Sequence, residues 1–328
     1  MTAGAPVALP APYRPWPPPL LEGLDDSNVA LVPDLAARSW LAAFGASVLF
    51  TLLACDSSPT SPTPGPTPVG PAVLVGAGDI ADCTVAGSEA TGRLLDAIEG
   101  TVMALGDLAY PHGRPEDFQN CFAPRWGRHK SRIRPIPGNH EYETPGAAGY
   151  YGYLGSAAAP PDGYYSFRHG AWLVVALNTE IPMSAGSPQH EWLRRELTAG
   201  STACVAALMH YPLFTSGEYG PHPEVRPLWE LLYQAGADVV VSGDEHLYER
   251  FAPQDPNGRA DQQRGLRQFV VGTGGGPLYR FVGVLPNSEA QLRNWGVLRL
   301  TLSDGSYTWE FVPVAGESGR DSGSAACH

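Results

Sequence analysis

Five short motifs carry side chains able to hold cations: Gly78-Asp79, Gly106-Asp107-Leu108-Ala109-Tyr110, Gly138-Asn139-His140-Glu141, His210, and Ser242-Gly243-Asp244-Glu245-His246. Mixed carboxylate, amide and imidazole donors in one set suit iron, manganese or zinc rather than a soft-metal site. Taken singly, each motif is weak. A Gly-Asp pair is most often a turn, because Asp bonds its own backbone there, and an isolated His is most often structural. Five in order, each punctuating an apolar run, argue for one shared centre.

The elements that must position them are short apolar runs followed by Gly or polar loops: Ala72 to Ala77, Val102 to Leu105, Trp172 to Leu177, Val205 to Met209, Val239 to Val241 and Phe269 to Val271. These read as buried strands. Helical stretches alternate with them at Ser88 to Ile98, at Pro188 to Leu197 with Ser187 as cap, and at Glu224 to Tyr233. The alternation predicts an α/β domain, in which ligands gather at the carboxyl ends of strands. Val297 to Leu302 and Tyr307 to Val312 have no helix between them and predict a separate antiparallel second sheet. The basic run Arg125, Arg128, Lys130, Arg132 and Arg134 reads as a solvated face. The glycine run Gly272 to Gly276 lacks the Lys-Ser/Thr of a phosphate loop and reads as a turn.

Composition bounds the rest. With 21 basic and 33 acidic side chains in 328 residues, the net charge of −12 argues against nucleic acid as a partner. Of the 33 prolines, 14 lie in the first 71 residues, so the folded part starts after them. Trp40 to Ala54 is uncharged and too short to span a bilayer as a helix. It suits an export signal, and Leu52-Leu53-Ala54-Cys55 resembles the lipobox of bacterial lipoproteins. The expected organisation is a leader over 1–55, a Pro/Ser/Thr-rich linker over 56–71, a folded domain over 72–316 and a polar tail over 317–328. The expected location is the bacterial cell envelope, with lipid on Cys55 as the only membrane attachment. Cys83, Cys121, Cys204 and Cys327 then remain for an oxidising compartment, with three possible pairings. Cys83 with Cys121 would tie two loops near the motifs, and Cys204 with Cys327 would pin the tail to a core strand.

Over roughly Ala72 to Val314 the motif set resembles the calcineurin-like metallophosphoesterases, and among them the purple acid phosphatases. The resemblance implies an α/β sandwich of two mixed sheets flanked by helices. It makes Asp79, Tyr110 and His246 ligands of one metal, Asp107 the bridge to a second, and Asn139 and His210 ligands of that second metal. Tyr110 points to the purple branch, where this phenolate binds ferric iron; many other members have a His at the position held here by Ala81. The implied cofactors are two metal ions, iron plus a divalent ion (Mn, Zn or Fe). Such a pair, about 3.5–4 Å apart, would ionise a bridging water as the attacking group on a small phosphate ester, with no covalent enzyme intermediate. His140 would bond a phosphoryl oxygen or protonate the leaving group, and His222 would reach substrate from its loop.

One position departs from the family pattern. Where members usually carry Gly-His-x-His, this chain has Gly243-Asp244-Glu245-His246. An anion in place of a neutral donor lowers the positive charge of the centre and predicts weakened or metal-shifted activity. The expected function is a phosphomonoesterase of acid phosphatase type. The alternatives are a phosphodiesterase of the same superfamily and a non-catalytic envelope binding protein.

Overall fold

The computed structural model describes residues 70–199 and 204–328. The leader, the linker and Cys55 lie outside these residues. Two sheets form the body of the described part. The first runs in the order β13-β12-β11-β1-β2-β3, with β1 (Ala72–Ala77), β2 (Thr101–Leu105), β3 (Ile133–Ile136), β11 (Gly296–Ser303), β12 (Ser306–Pro313) and β13 (Asp321–Ala326). The second runs β10-β8-β9-β7-β6-β5-β4, with β4 (Tyr165–His169), β5 (Trp172–Ala176), β6 (Val205–Leu208), β7 (Val239–Ser242), β8 (Tyr248–Phe251), β9 (Arg267–Val271) and β10 (Ser288–Leu292). Both are mixed: β1, β2 and β3 are mutually parallel, as are β5, β6, β7 and β9, and antiparallel strands flank them.

The continuous apolar runs follow from burial on both faces. In the second sheet Val174, Ala176, Ala206, Leu208, Val239, Val241, Phe269 and Val271 join a core shared with Leu74, Val102, Leu298 and Leu300 of the first. Their neighbours Leu173, Val175, Val205, Ala207 and Val240 pack with Leu193 of helix Pro188–Ala199 and with Leu228, Trp229 and Leu232 of helix Arg226–Gln234. Alternate side chains of a strand point to opposite faces, so one face meets the other sheet and the other meets helices. Ser187 caps its helix, its Oγ accepting from the His190 amide at 3.3 Å.

Three expectations change. The C-terminal pair β11 and β12 does not make a separate sheet; β11 pairs with β1, Leu74 opposite Leu300, and extends the first sheet. The polar residues read as a tail instead include the edge strand β13, paired along β12. Its alternation of small polar residues carries no hydrophobic signal, which is why the sequence hides it. The basic run is not simply solvated. Arg128 binds Asp96 at 2.7 Å, Arg132 donates to the carbonyls of Ile98 and Gly100 at 3.0 and 2.9 Å, and Lys130 lies 4.6 Å from the Tyr153 ring. The Arg128 and Arg132 bonds close the carboxyl end of helix Gly87–Ala97.

The disulfides Cys83–Cys121 and Cys204–Cys327 are both formed. Asp321 on β13 accepts from Tyr248 Oη at 2.7 Å, Arg250 Nε at 2.7 Å and Trp309 Nε1 at 3.1 Å. Burial works to raise its carboxyl, but the bonds to Arg250 and Tyr248 outweigh it and hold the pKa below the ordinary 3.8. A carboxyl depressed in the folded state stabilises the fold above its unfolded pKa and loses that contribution as pH falls through the folded one. Asp321→Asn should therefore lower the melting temperature at about pH 6 and close the gap to the parent as the pH falls below about 4. An equal gap across that range would disconnect Asp321 from acid stability.

Candidate active site

Each chemistry-bearing motif follows a parallel strand: Asp79 after β1, Asp107 after β2, Asn139 after β3, His210 after β6 and Asp244 after β7. The carboxyl ends of strands from both sheets meet here, with the Gly78 amide donating to the Val271 carbonyl at 2.9 Å. Backbone sterics shape the turns. Asp79, Asp107 and Asp244 all adopt positive φ, at 58°, 50° and 69°, conformations that non-glycine residues seldom take and that cost about 1–3 kcal/mol each. Three strained aspartates at one place fit a site that dictates its own backbone. The glycines beside them clear space: a Cβ on Gly106, itself at φ 84°, would lie 2.2 Å from His210 Nδ1, and one on Gly138 would lie 2.3 Å from Asp107 Oδ1.

The side chains form two groups joined by Asp107. In the first group, Tyr110 Oη lies 3.1 Å from Asp79 Oδ1 and 2.9 Å from His246 Nε2, and His246 Nε2 is 3.3 Å from Asp79 Oδ1. In the second, His210 Nε2 lies 3.2 Å from Asn139 Oδ1 and 3.8 Å from Asp244 Oδ1. Asp107 turns Oδ2 to Tyr110 at 3.2 Å and Oδ1 to His210 at 3.5 Å. Asp79, Asp107 and His210 are all buried and offer ligand atoms within 4.8 Å of one another. His210 and His246 are held alike. Nδ1 of each faces a carbonyl, Leu105 at 2.7 Å and Pro277 at 2.7 Å, so Nδ1–H donates outward and the Nε2 lone pair faces the cluster, the arrangement found in metal-binding imidazoles.

The donor set fits cations. The single Tyr110 proton faces three acceptors, two carboxylate oxygens and an imidazole nitrogen. Burial first, then the charges of Asp107 and Asp79, push the Tyr110 phenol well above its ordinary range. Burial likewise raises Asp79, despite His246. Burial would raise Asp107 as well, but with no cation present the charge and bond of a protonated His210, helped by His140, bring it down to about 2. A buried surplus of lone pairs of this kind is what positive ions relieve.

His140 occupies the rim. Its Nδ1 faces the Pro111 carbonyl at 2.6 Å, its Nε2 lies 3.7 Å from Asp107 Oδ2, and the side chain is 30% exposed. A cleft of about 130 Å³ opens there, lined by Asp107, Asn139, His140, Tyr219, Asp244, His246 and Tyr279. His222 does not line it. Its Nε2 bonds Asp244 Oδ2 at 3.0 Å, its Nδ1 bonds Glu224 Oε1 at 2.8 Å, and its ring stacks on Tyr211 at 4.0 Å. The expected substrate contact is thus occupied with Asp244.

Sequence reasoning passed over two residues. Glu141, fully buried, accepts from the amides of Asp107, Leu108, Ala109 and Gly138 at 2.9, 2.8, 3.3 and 2.8 Å. It ties the Asp107 turn to the Asn139 turn; its position next to two chemical residues was the available signal. Glu245, also fully buried, accepts from the Tyr219 and Gly220 amides at 2.8 Å each and fixes the loop that carries Tyr219. Burial pushes its pKa up to about 7.

Residues 70–248 match the calcineurin-like phosphoesterase family model. Purple acid phosphatase 21 of Arabidopsis thaliana is 34% identical over 151 residues, covering 43% of this chain and 34% of that protein. Phosphoenolpyruvate phosphatase of Allium cepa is 30% identical over 180 residues, covering 46% and 36%. The chain therefore spans about a third of the length of these relatives. The structure of a purple acid phosphatase from yellow lupin (Lupinus luteus) seeds superposes with a TM-score of 0.68 at 21% identity, covering 80% of this chain and 55% of that one, a likeness of fold. With its family model matched over more than half its length and its donors gathered at the strand ends, the chain belongs to the calcineurin-like phosphoesterase family and resembles its purple acid phosphatase branch.

Proposed function

We propose that the protein is a phosphatase that hydrolyses small phosphate monoesters at a dinuclear metal centre. The observation that carries the reading is the placement of Asp107, whose two oxygens face two separate donor groups, as a shared ligand of two cations requires. Asp79, Tyr110 and His246 would hold one ion, Asn139, His210 and Asp244 the other, and Asp107 both. When bound, the ions, iron to suit the phenolate donor and a divalent partner, would supply Lewis acidity and lower the pKa of water.

The chain's own residues do the remainder. Asp107, Asn139 and Asp244 line the cleft, and the turns fixed by Glu141 hold Asp107 and Asn139 at constant spacing. His140, anchored through Nδ1 to Pro111, keeps Nε2 on the rim, where it can donate to a phosphoryl oxygen or pass a proton to the departing alkoxide. The narrow cleft admits the phosphoryl group and leaves the alcohol portion outside. Two disulfides fit an oxidising compartment and support export as part of the reading.

The pairing of Asp244 with His222 bears on the departure from the family pattern. Burial works against charging His222, but its bonds to Asp244 and Glu224 outweigh that and push its pKa up to about 9. The imidazolium offsets the added carboxylate, so the centre is less depleted of positive charge than the substitution alone implies. A double-mutant cycle on Asp244→Asn and His222→Asn should show coupling of about 1–2 kcal/mol in kcat/KM; additive losses would mean the two act separately.

The test of the reading is elemental analysis of purified protein beside its visible spectrum and its turnover of an aryl phosphate and the matching diester. Two equivalents of metal, a phenolate-to-iron band and a monoester preference are expected. Less than one equivalent with no turnover on either would sink it, and faster diester cleavage would favour a phosphodiesterase.

A further inference from the structure

The large hydrophobic side chains most exposed among the described residues are Tyr219, Val282 and Val284, at 64%, 70% and 72%. Tyr219 lines the cleft, and Val282 and Val284 lie on a second loop laced to its own. Gly217 bridges to Phe281, the Val282 amide donates to the Ser216 carbonyl at 2.9 Å, and the Leu285 amide donates to Ser216 Oγ at 2.9 Å. Within that unit Tyr279 stacks on His246, ring centroids 3.9 Å apart and nearly parallel, and Tyr219 leans on Tyr279 at 4.8 Å. An aromatic wall therefore runs from the cleft-lining His246 outward to solvent.

Exposed apolar surface beside a polar cleft marks a recognition site. The cleft holds about 130 Å³, well under the roughly 300–1,000 Å³ of pockets that enclose a whole organic ligand, so whatever the phosphoryl group is attached to must lie against the rim. The wall is also built in advance. Buried Glu245 holds the Tyr219 and Gly220 amides, and the Tyr279 amide donates to the His246 carbonyl at 3.0 Å. Little ordering is left for a ligand to bring about.

We infer that Tyr219 and Tyr279 form a leaving-group subsite that selects phosphate esters of aromatic alcohols. The inference rests on the phosphatase reading for its chemistry, and it names the substrate class of that same site. Tyr219 is the specificity-determining residue because its ring is the exposed end of the wall.

The test compares 2-phenylethyl phosphate with propyl phosphate, alcohols of similar acidity, so that a preference reports ring contact rather than leaving-group chemistry. Binding of benzylphosphonate and propylphosphonate to the metal-loaded protein is measured by calorimetry alongside. The parent should prefer the aromatic member of each pair, and Tyr219→Ser should reduce that preference about threefold to tenfold, as loss of one aromatic contact implies, through KM rather than kcat. Tyr219→Phe should keep it. Equal kcat/KM and equal binding for both members in the parent, or a preference untouched by Tyr219→Ser, overturns the subsite while leaving the phosphatase reading intact. Absence of hydrolysis of both esters, with benzylphosphonate still bound more tightly in a Tyr219-dependent way, supports the subsite and overturns the phosphatase reading instead.

Discussion

Replacing Asp107 with Asn is expected to lower kcat/KM for phosphate monoesters by about a thousandfold or more, equivalent to about 4 kcal/mol of transition-state stabilisation. The size follows from the side chain's double duty. Its two oxygens face the Tyr110 group and the His210 group, and an amide offers one oxygen and one NH₂ group, so one side loses its shared anion and meets a donor in its place. The shape of the residue is retained, so the fold should survive. The measurement is turnover together with metal content and melting temperature: an active variant carrying both metals would remove Asp107 from its joining role, whereas unfolding would show only that the residue is structural. The substitution also removes the negative charge toward which the His140 amide donates at 3.0 Å, which predicts a displaced rim histidine as well as fewer ions.

How far the sequence disclosed this arrangement depended on what each residue had to satisfy. Strands buried on both faces declared themselves as apolar runs, because both the opposite sheet and the outer helices demand hydrophobic side chains. The chemical motifs were legible because they punctuate those runs, and the strand ends are where the fold collects ligands. Elements stabilised by backbone pairing with little burial stayed hidden: β13 is Asp-Ser-Gly-Ser-Ala-Ala, held by its ladder to β12 and by the Asp321 bonds. The glycine run read as a turn is a further case. Its amides at Gly274 and Gly276 donate to the carbonyls of Gly78 and Asp79 at 2.8 Å each, and a Cβ on Gly272 would meet the Glu245 carbonyl at 2.1 Å. The close approach it permits beneath Asp79 is a tertiary fact that composition does not encode. Likewise, the loop position of His222 suggests a substrate contact, whereas the partner that claims it, Asp244, lies 22 residues away.

Glu141 shows how a residue without a chemical part can decide whether the chemistry exists. Its carboxylate receives four backbone N–H groups, three from the Asp107 turn and one from Gly138. Burial, with the charge of Asp107, works to raise its pKa, but four N–H donors converging on its two oxygens favour the anion. Glu141→Ala would strip the acceptor from all of them at once. An unsatisfied buried N–H costs about 1–3 kcal/mol, and even with water entering the space the expected loss is about 3–5 kcal/mol, a drop of roughly 6–20 °C in melting temperature for a domain of this size. Glu141→Gln should recover little, since its amide nitrogen would point two donors at amides that are themselves donors. The two variants together separate packing from hydrogen bonding: Gln fills the volume and Ala does not. If Gln restored the parent's melting temperature, volume alone would be what the site requires. If it stayed close to Ala, the carboxylate would be what sets the spacing between the Asp107 and Asn139 turns, and with it the distance across which any two ions must be shared.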